Sequence, residues 1–393
     1  MVGGTAGRRT RLRARLVTGD LVDAAEQIQE LVEAHADKAE SGRRLPKRLV
    51  QGLRDAQLFR MCVPKVYGGP EADPITLVRA IEKVATADGA AGWCTMIAST
   101  TSSMSLFLEP EFAQLIYGDP KSITGGAYAP NGIACRSGDG DGDGWRVSGR
   151  WQWGSGSQHC NWLTGGSLTA DGEFHLMFFD VADITIHDTW HASGLRGTGS
   201  NDFSVDRATV PFGRSVQPML GRAQVECALA AFPNFSLLAS GVAAVSLGIA
   251  RHAVDEFTEL AQGKRPMFSS RTISQSGSAQ AELARAEAIL RSARAFLHDE
   301  LAGAWEQAQT GDRIDVAARQ RIRLACVHAA RSAATATDIV YTLGGGTSVY
   351  ETSPLQRCLR DVHVTTQHLM VSPRLDEMLG RMFFGLDVDT STL

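Results

Sequence analysis

The residues able to do chemistry in this 393-residue chain are histidines, cysteines, carboxylates and small hydroxyls, and spacing decides what each can do. None of the ten histidines pairs with another at metal-binding spacing, and His363 and His368, five apart, point to different parts of a helix surface. His368 stands among Thr365, Thr366, Gln367, Leu369 and Met370 on what reads as a helix with few charges, which suits a satisfied core histidine as well as a catalytic one. The seven cysteines are scattered without a C-x-x-C pair, so neither a disulfide framework nor a zinc site is expected. No G-x-S-x-G elbow marks a serine nucleophile. Asp139-Gly-Asp141-Gly-Asp143-Gly144 copies the first half of a calcium loop, but its twelfth position is Arg150 where a bidentate Glu is needed. It reads as a solvated hairpin turn.

Three glycine clusters, Gly154–Gly156, Gly197–Gly199 and Gly344–Gly346, stop short of G-x-G-x-x-G, and no G-x-x-x-x-G-K-[ST] exists. The chain therefore shows neither a nicotinamide-binding Rossmann unit nor a P-loop, and Gly344–Gly346 alone is a helix-ending turn. The second cluster lies inside the stretch that organises the chain, Trp190–Pro211. Its first half joins Gly194, Gly197 and Gly199 to Thr198 and Ser200, a composition that lets backbone N–H groups approach a ligand closely. Its second half sets Phe203, Val205 and Val210 against Ser204, Asp206 and Arg207 and reads as a half-buried strand.

The elements around this stretch change character along the chain. From Asp20 to about Leu108 the pattern is helical: Leu21, Ala25, Ile28 and Val32 share a face, Asp20 is placed to cap, and Leu77–Ala87 and Gly92–Leu108 are further helices. The last of these is almost wholly apolar or small and belongs inside the fold. From about Ser122 to Val210 short β-prone runs (145–147, 150–153, 173–179 and 184–187) predict a small antiparallel sheet or barrel. From Phe232 onward four long helices are expected, over about 235–261, 278–309, 313–342 and 353–382. The first carries Ser236, Ser240, Gly241, Ala244 and Gly248, small residues that permit close helix approach.

At 44% apolar the chain can bury a large core, and a net charge of −4 gives no reason to expect nucleic acid as a partner. No apolar run is read as long enough to span a membrane. Met1–Arg15 carries five arginines and no acid, without the apolar segment of a secretory signal, and reads as a frayed tail. A cytoplasmic location is expected.

The order of Gly149-Arg150-Trp151-Gln152-Trp153-Gly154-Ser155-Gly156, Gly194-Leu195-Arg196-Gly197-Thr198-Gly199-Ser200-Asn201, Val210-Pro211, Arg265-x-x-Phe268, Leu343-Gly344-Gly345 and Arg360-Asp361 resembles the acyl-CoA dehydrogenase superfamily of flavoproteins. The resemblance covers residues 20–385. It implies a mainly α chain with a central β-domain: a tail over 1–19, an N-terminal helical domain over 20–120, a middle β-barrel or sandwich over 121–230 and a C-terminal four-helix bundle over 231–393. It implies flavin (FAD or FMN) between sheet and bundle of a homotetramer, its phosphates reached partly by a neighbouring subunit. Carried over, Trp153 and Ser155 cover the ring and hydrogen-bond near its N5, Arg265 and Phe268 contact phosphate and ring, and Gly344 and Gly345 approach the cofactor. Trp190, Thr198 and Ser200 then shape the substrate side.

Dehydrogenases of the superfamily need a carboxylate base, usually nine residues after the Arg of the Arg-Asp motif; here that position is Leu369, and the alternative helix site falls near Ser236. Neither replaces a carboxylate. His368, one residue earlier, resembles instead the two-component flavin monooxygenases of this fold, which receive reduced flavin from a separate reductase and use O2 on small organic substrates, aromatics among them. In that reading Ser155 and His368 are the catalytic residues. One departure stands out: these enzymes often carry a further active-site His a few residues after the positions matched by Gly92-Trp93, whereas this chain has Ser99-Thr100-Thr101-Ser102-Ser103. Asn131 is the expected replacement for its polar contact. A dehydrogenase with a relocated base and a non-catalytic flavin-binding protein are the other readings. No metal, membrane or nucleic acid is expected.

Overall fold

The structure is a computed structural model describing residues 21–137, 144–218, 221–311 and 313–393. The expected cap at Asp20 and most of the calcium-like turn lie outside the described residues. Among the described residues six helices come first: α1 (Leu21–Gln27), α2 (Gln29–Gly42), α3 (Lys47–Asp55), α4 (Pro74–Ala87), α5 (Gly89–Ser102) and α6 (Pro110–Tyr117). Ala25, Ile28 and Val32 are buried on one face as their spacing predicts. Asp73 and Asp88 cap α4 and α5 by accepting hydrogen bonds from Ile75, Thr76 and Ala91 N–H groups. Almost every side chain of α5 is buried, but the helix ends at Ser102 and passes into a 3-10 turn rather than running to Leu108.

Seven strands follow among the described residues: β1 (Thr124–Arg136), β2 (Gly144–Gly154), β3 (Trp162–Thr169), β4 (Phe174–Asp180), β5 (Thr185–His187), β6 (Asn201–Pro211) and β7 (Ser215–Val216). They form one sheet in the order β5-β6-β2-β1-β3-β4-β7. It is not the antiparallel sheet expected: β1 and β3 run parallel. β1 and β3 themselves are missing from the sequence reading, because glycines and hydroxyls interrupt their apolar alternation.

Val205 and Val210, five apart, fall on opposite faces of a regular strand. In the structure Val147 pairs with Ala208 and Gly149 with Val205, so Asp206 and Arg207 together oppose Ser148. Arg207 takes φ 50° at this bulge. The extra residue resets the parity and turns Phe203, Val205 and Val210 all inward, with Trp151 stacked on Phe203 at 5.2 Å.

The rest is helical: α7 (Ala228–Ala231), α8 (Asn234–Gly263), α9 (Gly277–Gln309), α10 (Val316–Gly344), α11 (Pro354–Thr365) and α12 (Leu375–Phe383). The fourth expected helix, 353–382, is in fact two, separated by a 3-10 turn over Leu369–Val371. Pro373 cannot continue a helix, and His368 caps the turn instead. α8 is, against expectation, long and apolar enough to cross a membrane by length and composition, yet 89% of its apolar window is buried inside the fold. It is the central core helix. A Cβ on Gly241 would lie 2.5 Å from Met96, and one on Gly248 2.6 Å from Ala85, so its small residues let α4 and α5 come close.

Candidate active site

The loop between β5 and β6 is built by its own polar groups. The Asn201 side-chain oxygen accepts the Thr189 and Trp190 N–H groups, and the Trp190 indole donates to the Leu195 carbonyl at 3.1 Å. Trp190 thus shapes the loop from within. Leu195, at φ 46°, donates its N–H to Asp361 at 2.6 Å, and Arg360 donates to the Ser193 carbonyl while pairing with Glu40 at 2.9 Å. Adjacent residues of α11 therefore clamp the loop from one side. Burial pushes the Asp361 carboxyl up to about 8, with Asp88 and Glu40 adding to the rise.

Inside this clamp lies a chain of buried hydroxyls. The Trp93 indole of α5 donates to Ser155 Oγ at 3.0 Å; Ser155 and Ser200 are 2.7 Å apart, as are Ser200 and Thr198, and Thr198 donates to the Leu195 carbonyl at 2.8 Å. Each hydroxyl has one proton. Because Thr198 spends its own on Leu195, Ser200 must donate to Thr198, and Ser155 to Ser200. Ser155, 5% exposed, is left with one free lone pair and no free proton.

His368 meets Trp93 edge-on, ring centroids 5.5 Å apart. The sequence put it on a helix; it stands beyond the end of α11, at the cap of the 3-10 turn. Burial and then the charge of Arg323 lower its pKa to about 4, so it is neutral at pH 7 rather than poised near neutrality. Its Nδ1 accepts the Met370 N–H at 3.3 Å, which places the ring proton on Nε2 and makes that nitrogen a donor. Leu369, at the usual base position, is 64% exposed. Ser236 is buried with an unpartnered hydroxyl.

Three further findings correct or extend the sequence reading. Asn131 is exposed on β1 and carries no polar contact to Trp93 or His368 among the described residues. The β1 residue that does reach the helices is Tyr128, whose hydroxyl donates to Asn234 at 2.5 Å while its ring meets Phe235 at 5.3 Å. Ser99, Thr100, Ser102 and Ser103, where the further histidine was missing, donate to main-chain carbonyls of Leu58, Met96, Ser99 and Thr100. Trp93, Tyr128 and Asn234, with Arg323 whose charge reaches His368, join the candidate site without having been expected there; a tryptophan in a helix otherwise of small residues was the available signal for the first.

A second group lies elsewhere in the chain. Lys264 donates to the Gly344 carbonyl at 2.5 Å, bringing the Arg265 segment against Gly344 and Gly345, the latter at φ 55°. Arg265 is exposed, and Phe268 is fully so. Trp153, two residues from buried Ser155, is 65% exposed. Trp153 and Phe268 hold φ of 61° and 63°, a conformation that bulky side chains rarely adopt. No hydrogen bond or ring contact joins Arg265, Phe268 or Gly345 to Trp153 or Ser155 among the described residues; the structure brings them together as two groups, not one.

Comparison with known proteins agrees with this architecture. Residues 21–109 match the acyl-CoA dehydrogenase N-terminal domain and residues 240–373 the acyl-CoA dehydrogenase C-terminal domain. An indole-3-acetate monooxygenase from Pseudomonas putida is 30% identical over 91% of this chain and 93% of its own. The flavin-dependent monooxygenase oxygenase subunit HsaA of Rhodococcus jostii is 29% identical over 90% of this chain and 95% of its own. The structure of XiaF from a Streptomyces species, in complex with FADH2 and glycerol, superposes with a TM-score of 0.87 at 25% identity, covering 93% of this chain and 95% of that one. With the acyl-CoA dehydrogenase fold, a leucine and a serine at the two carboxylate-base positions, and relatives of this kind along nearly its whole length, the chain belongs to the flavin-dependent monooxygenases of that fold.

Proposed function

We propose that the pocket around Trp93, Ser155 and His368 is the oxygenation site, that reduced flavin is delivered to it by a separate reductase, and that one oxygen atom of O2 enters a small aromatic substrate. The observation that carries this reading is the polar inventory of the pocket: a neutral His368 offering Nε2–H, a Ser155 able only to accept, and no carboxylate at either base position. α-Proton abstraction needs a base that this set lacks.

The residues fit a flavin. Bound reduced flavin supplies the two electrons that oxygen activation requires. Exposed aromatic rings held at positive φ, Trp153 and Phe268, are suited to covering a planar ring system, and the free lone pair of buried Ser155 suits an N–H donor such as N5 of the reduced form. Arg265, with Gly344 and Gly345, suits phosphate, the cation supplying charge and the glycines close approach. Thr198 and Ser200 act behind Ser155 by setting its proton, while Trp190 holds the loop that carries them. His368, with Nε2–H free and its ring against Trp93, would donate a hydrogen bond to a substrate or oxygen group bound there.

The separation of the two residue groups within one chain supports a homotetramer in which one copy completes the site of another. The exposed side chains of Met267, Phe268, Phe383 and Phe384 favour the same assembly. Free thiols at all seven cysteines suit a cytoplasmic setting. The test is turnover with a flavin reductase, NADH, flavin and ¹⁸O2: the expected product gains one labelled oxygen. A product two hydrogens lighter and unlabelled overturns the reading in favour of dehydrogenation, and a sedimentation mass of a single chain overturns the shared site.

A further inference from the structure

Arg323 of α10 is 1% exposed, and a guanidinium stays charged at any ordinary pH. A buried charge is expensive unless it is paired or fully hydrogen-bonded. Arg60, also deeply buried, shows fuller bonding: its two terminal nitrogens donate to Gln57 Oε1 and to the carbonyls of Gly68, Tyr67 and Tyr117, and only its Nε is left without a partner. Arg323 has one good bond, from Nη2 to the Thr392 carbonyl at 2.7 Å, and a marginal one from Nη2 to the Phe235 carbonyl at 3.5 Å. Its Nε is buried without a partner, and Nη1 makes no hydrogen bond among the described residues. No carboxylate pairs with it there.

The neighbours of this unpaired charge are those of the proposed oxygenation pocket. The residue after Phe235 is Ser236, whose buried hydroxyl is also unpartnered. His368 lies close enough to feel the guanidinium charge, and it caps a turn packed against both α8 and α10. Trp93 is in ring contact with His368, and Tyr128 with Phe235. A cation with three unused N–H donors, a hydroxyl with none of its bonds made, and several rings within one region are complementary to an aromatic acid: the anion supplies acceptors and countercharge, and the rings hold the aromatic body.

We propose that Arg323 is the countercharge for the substrate and that the substrate is an aromatic carboxylate, its carboxyl group seated on Nε and Nη1 of Arg323 with Ser236 as a further donor. This rests on the oxygenase reading of the same pocket. His368, within reach of the Arg323 charge and in ring contact with Trp93, then lies beside the ring to be oxygenated.

The test is anaerobic titration of the protein, loaded with reduced flavin, with indole-3-acetate and with indole-3-acetamide, which has the same shape and no charge. The wild type is expected to bind the acid more tightly than the amide by roughly tenfold or more, the worth of a hydrogen bond to a charged group. Arg323→Gln should weaken the acid by a similar factor and leave the amide within about twofold, and Arg323→Lys should restore part of the preference by returning the charge without the fork. Equal binding of acid and amide by the wild type, binding of neither, or an unchanged preference in Arg323→Gln overturns the proposal. The wild-type comparison decides even where the variant does not fold. Labelled-oxygen incorporation into neutral indole separates the two readings: its presence without acid preference leaves the oxygenase reading standing and removes only the carboxylate subsite.

Discussion

Ser155 is an acceptor because its single proton is already spent, and that follows from counting protons along Trp93, Ser155, Ser200, Thr198 and Leu195. Removing Ser200 releases the proton. In Ser200→Ala the Ser155 hydroxyl is free to donate, which suits an oxidised flavin N5, itself an acceptor, better than a reduced one. The ratio of dissociation constants for oxidised and reduced flavin should therefore fall by roughly five- to tenfold, since a hydrogen bond is worth about 1 kcal/mol net. Fluorescence titration of both redox forms reads this directly. An unchanged ratio would mean that the serine proton is not set by the chain. The sequence pointed to Ser155, Thr198 and Ser200 as expected site residues, and the structure joins their hydroxyls in one chain. The direction of their hydrogen bonds was not legible in the sequence, because it depends on Trp93 from a helix 62 residues away and on a carbonyl held in a left-handed turn.

At the scale of elements, the Arg360-Asp361 pair works as a clamp between α11 and the Ser193–Leu195 part of the β5–β6 loop. The fit is close: a Cβ on Gly194 would sit 2.4 Å from the Arg360 carbonyl oxygen, and that backbone is locked into the helix. Gly194→Ala should cost about 1–3 kcal/mol by forcing loop and helix apart, as overpacking generally does. Urea denaturation measures it, and a loss below about 0.5 kcal/mol would show that the loop yields freely. The long helices and the bulged strand were largely visible as periodicity. The break at His368 was not: Thr365–Met370 continues a helical pattern, and only the turn at Leu369–Val371 rotates Leu369 outward and the histidine toward Trp93.

For the whole molecule, pH dependence follows from groups whose charge the fold disfavours. Burial lowers His159, His298 and His368 to about 4, so their contribution is full above the unfolded value near 6.5 and is lost as pH falls toward 4. Burial raises Asp88 to about 6 and Asp361 to about 8, so the folded state keeps protons that the unfolded chain has released, and their contribution fades as pH rises. Below about 6 the three histidines outweigh the two aspartates; above 6.5 only Asp361 acts. Stability should thus peak near pH 6.5 and decline on both sides, with the alkaline limb falling by up to roughly 1.4 kcal/mol per pH unit as far as about pH 8. Asp361→Asn should flatten that limb and keep the acid one. Denaturation midpoints across pH 4–9 test it, and an alkaline limb that persists in the variant would assign the effect elsewhere.

The sequence by itself determined the class of this protein: glycine and hydroxyl placement around Trp153–Gly156 and Gly194–Asn201, the long apolar-faced helices, and a leucine and a serine at both base positions. Those are local properties, written in residue type and spacing. What only the tertiary structure decided is how groups distant in sequence bear on each other. It lowered the His368 pKa through burial and Arg323, fixed the direction of the Ser155 hydrogen bond through Ser200, Thr198 and Leu195, left Asn131 exposed on β1, and left Arg323 buried without a carboxylate partner among the described residues. Proton ownership and charge pairing are relations between side chains in space, and no spacing along one strand or helix specifies them.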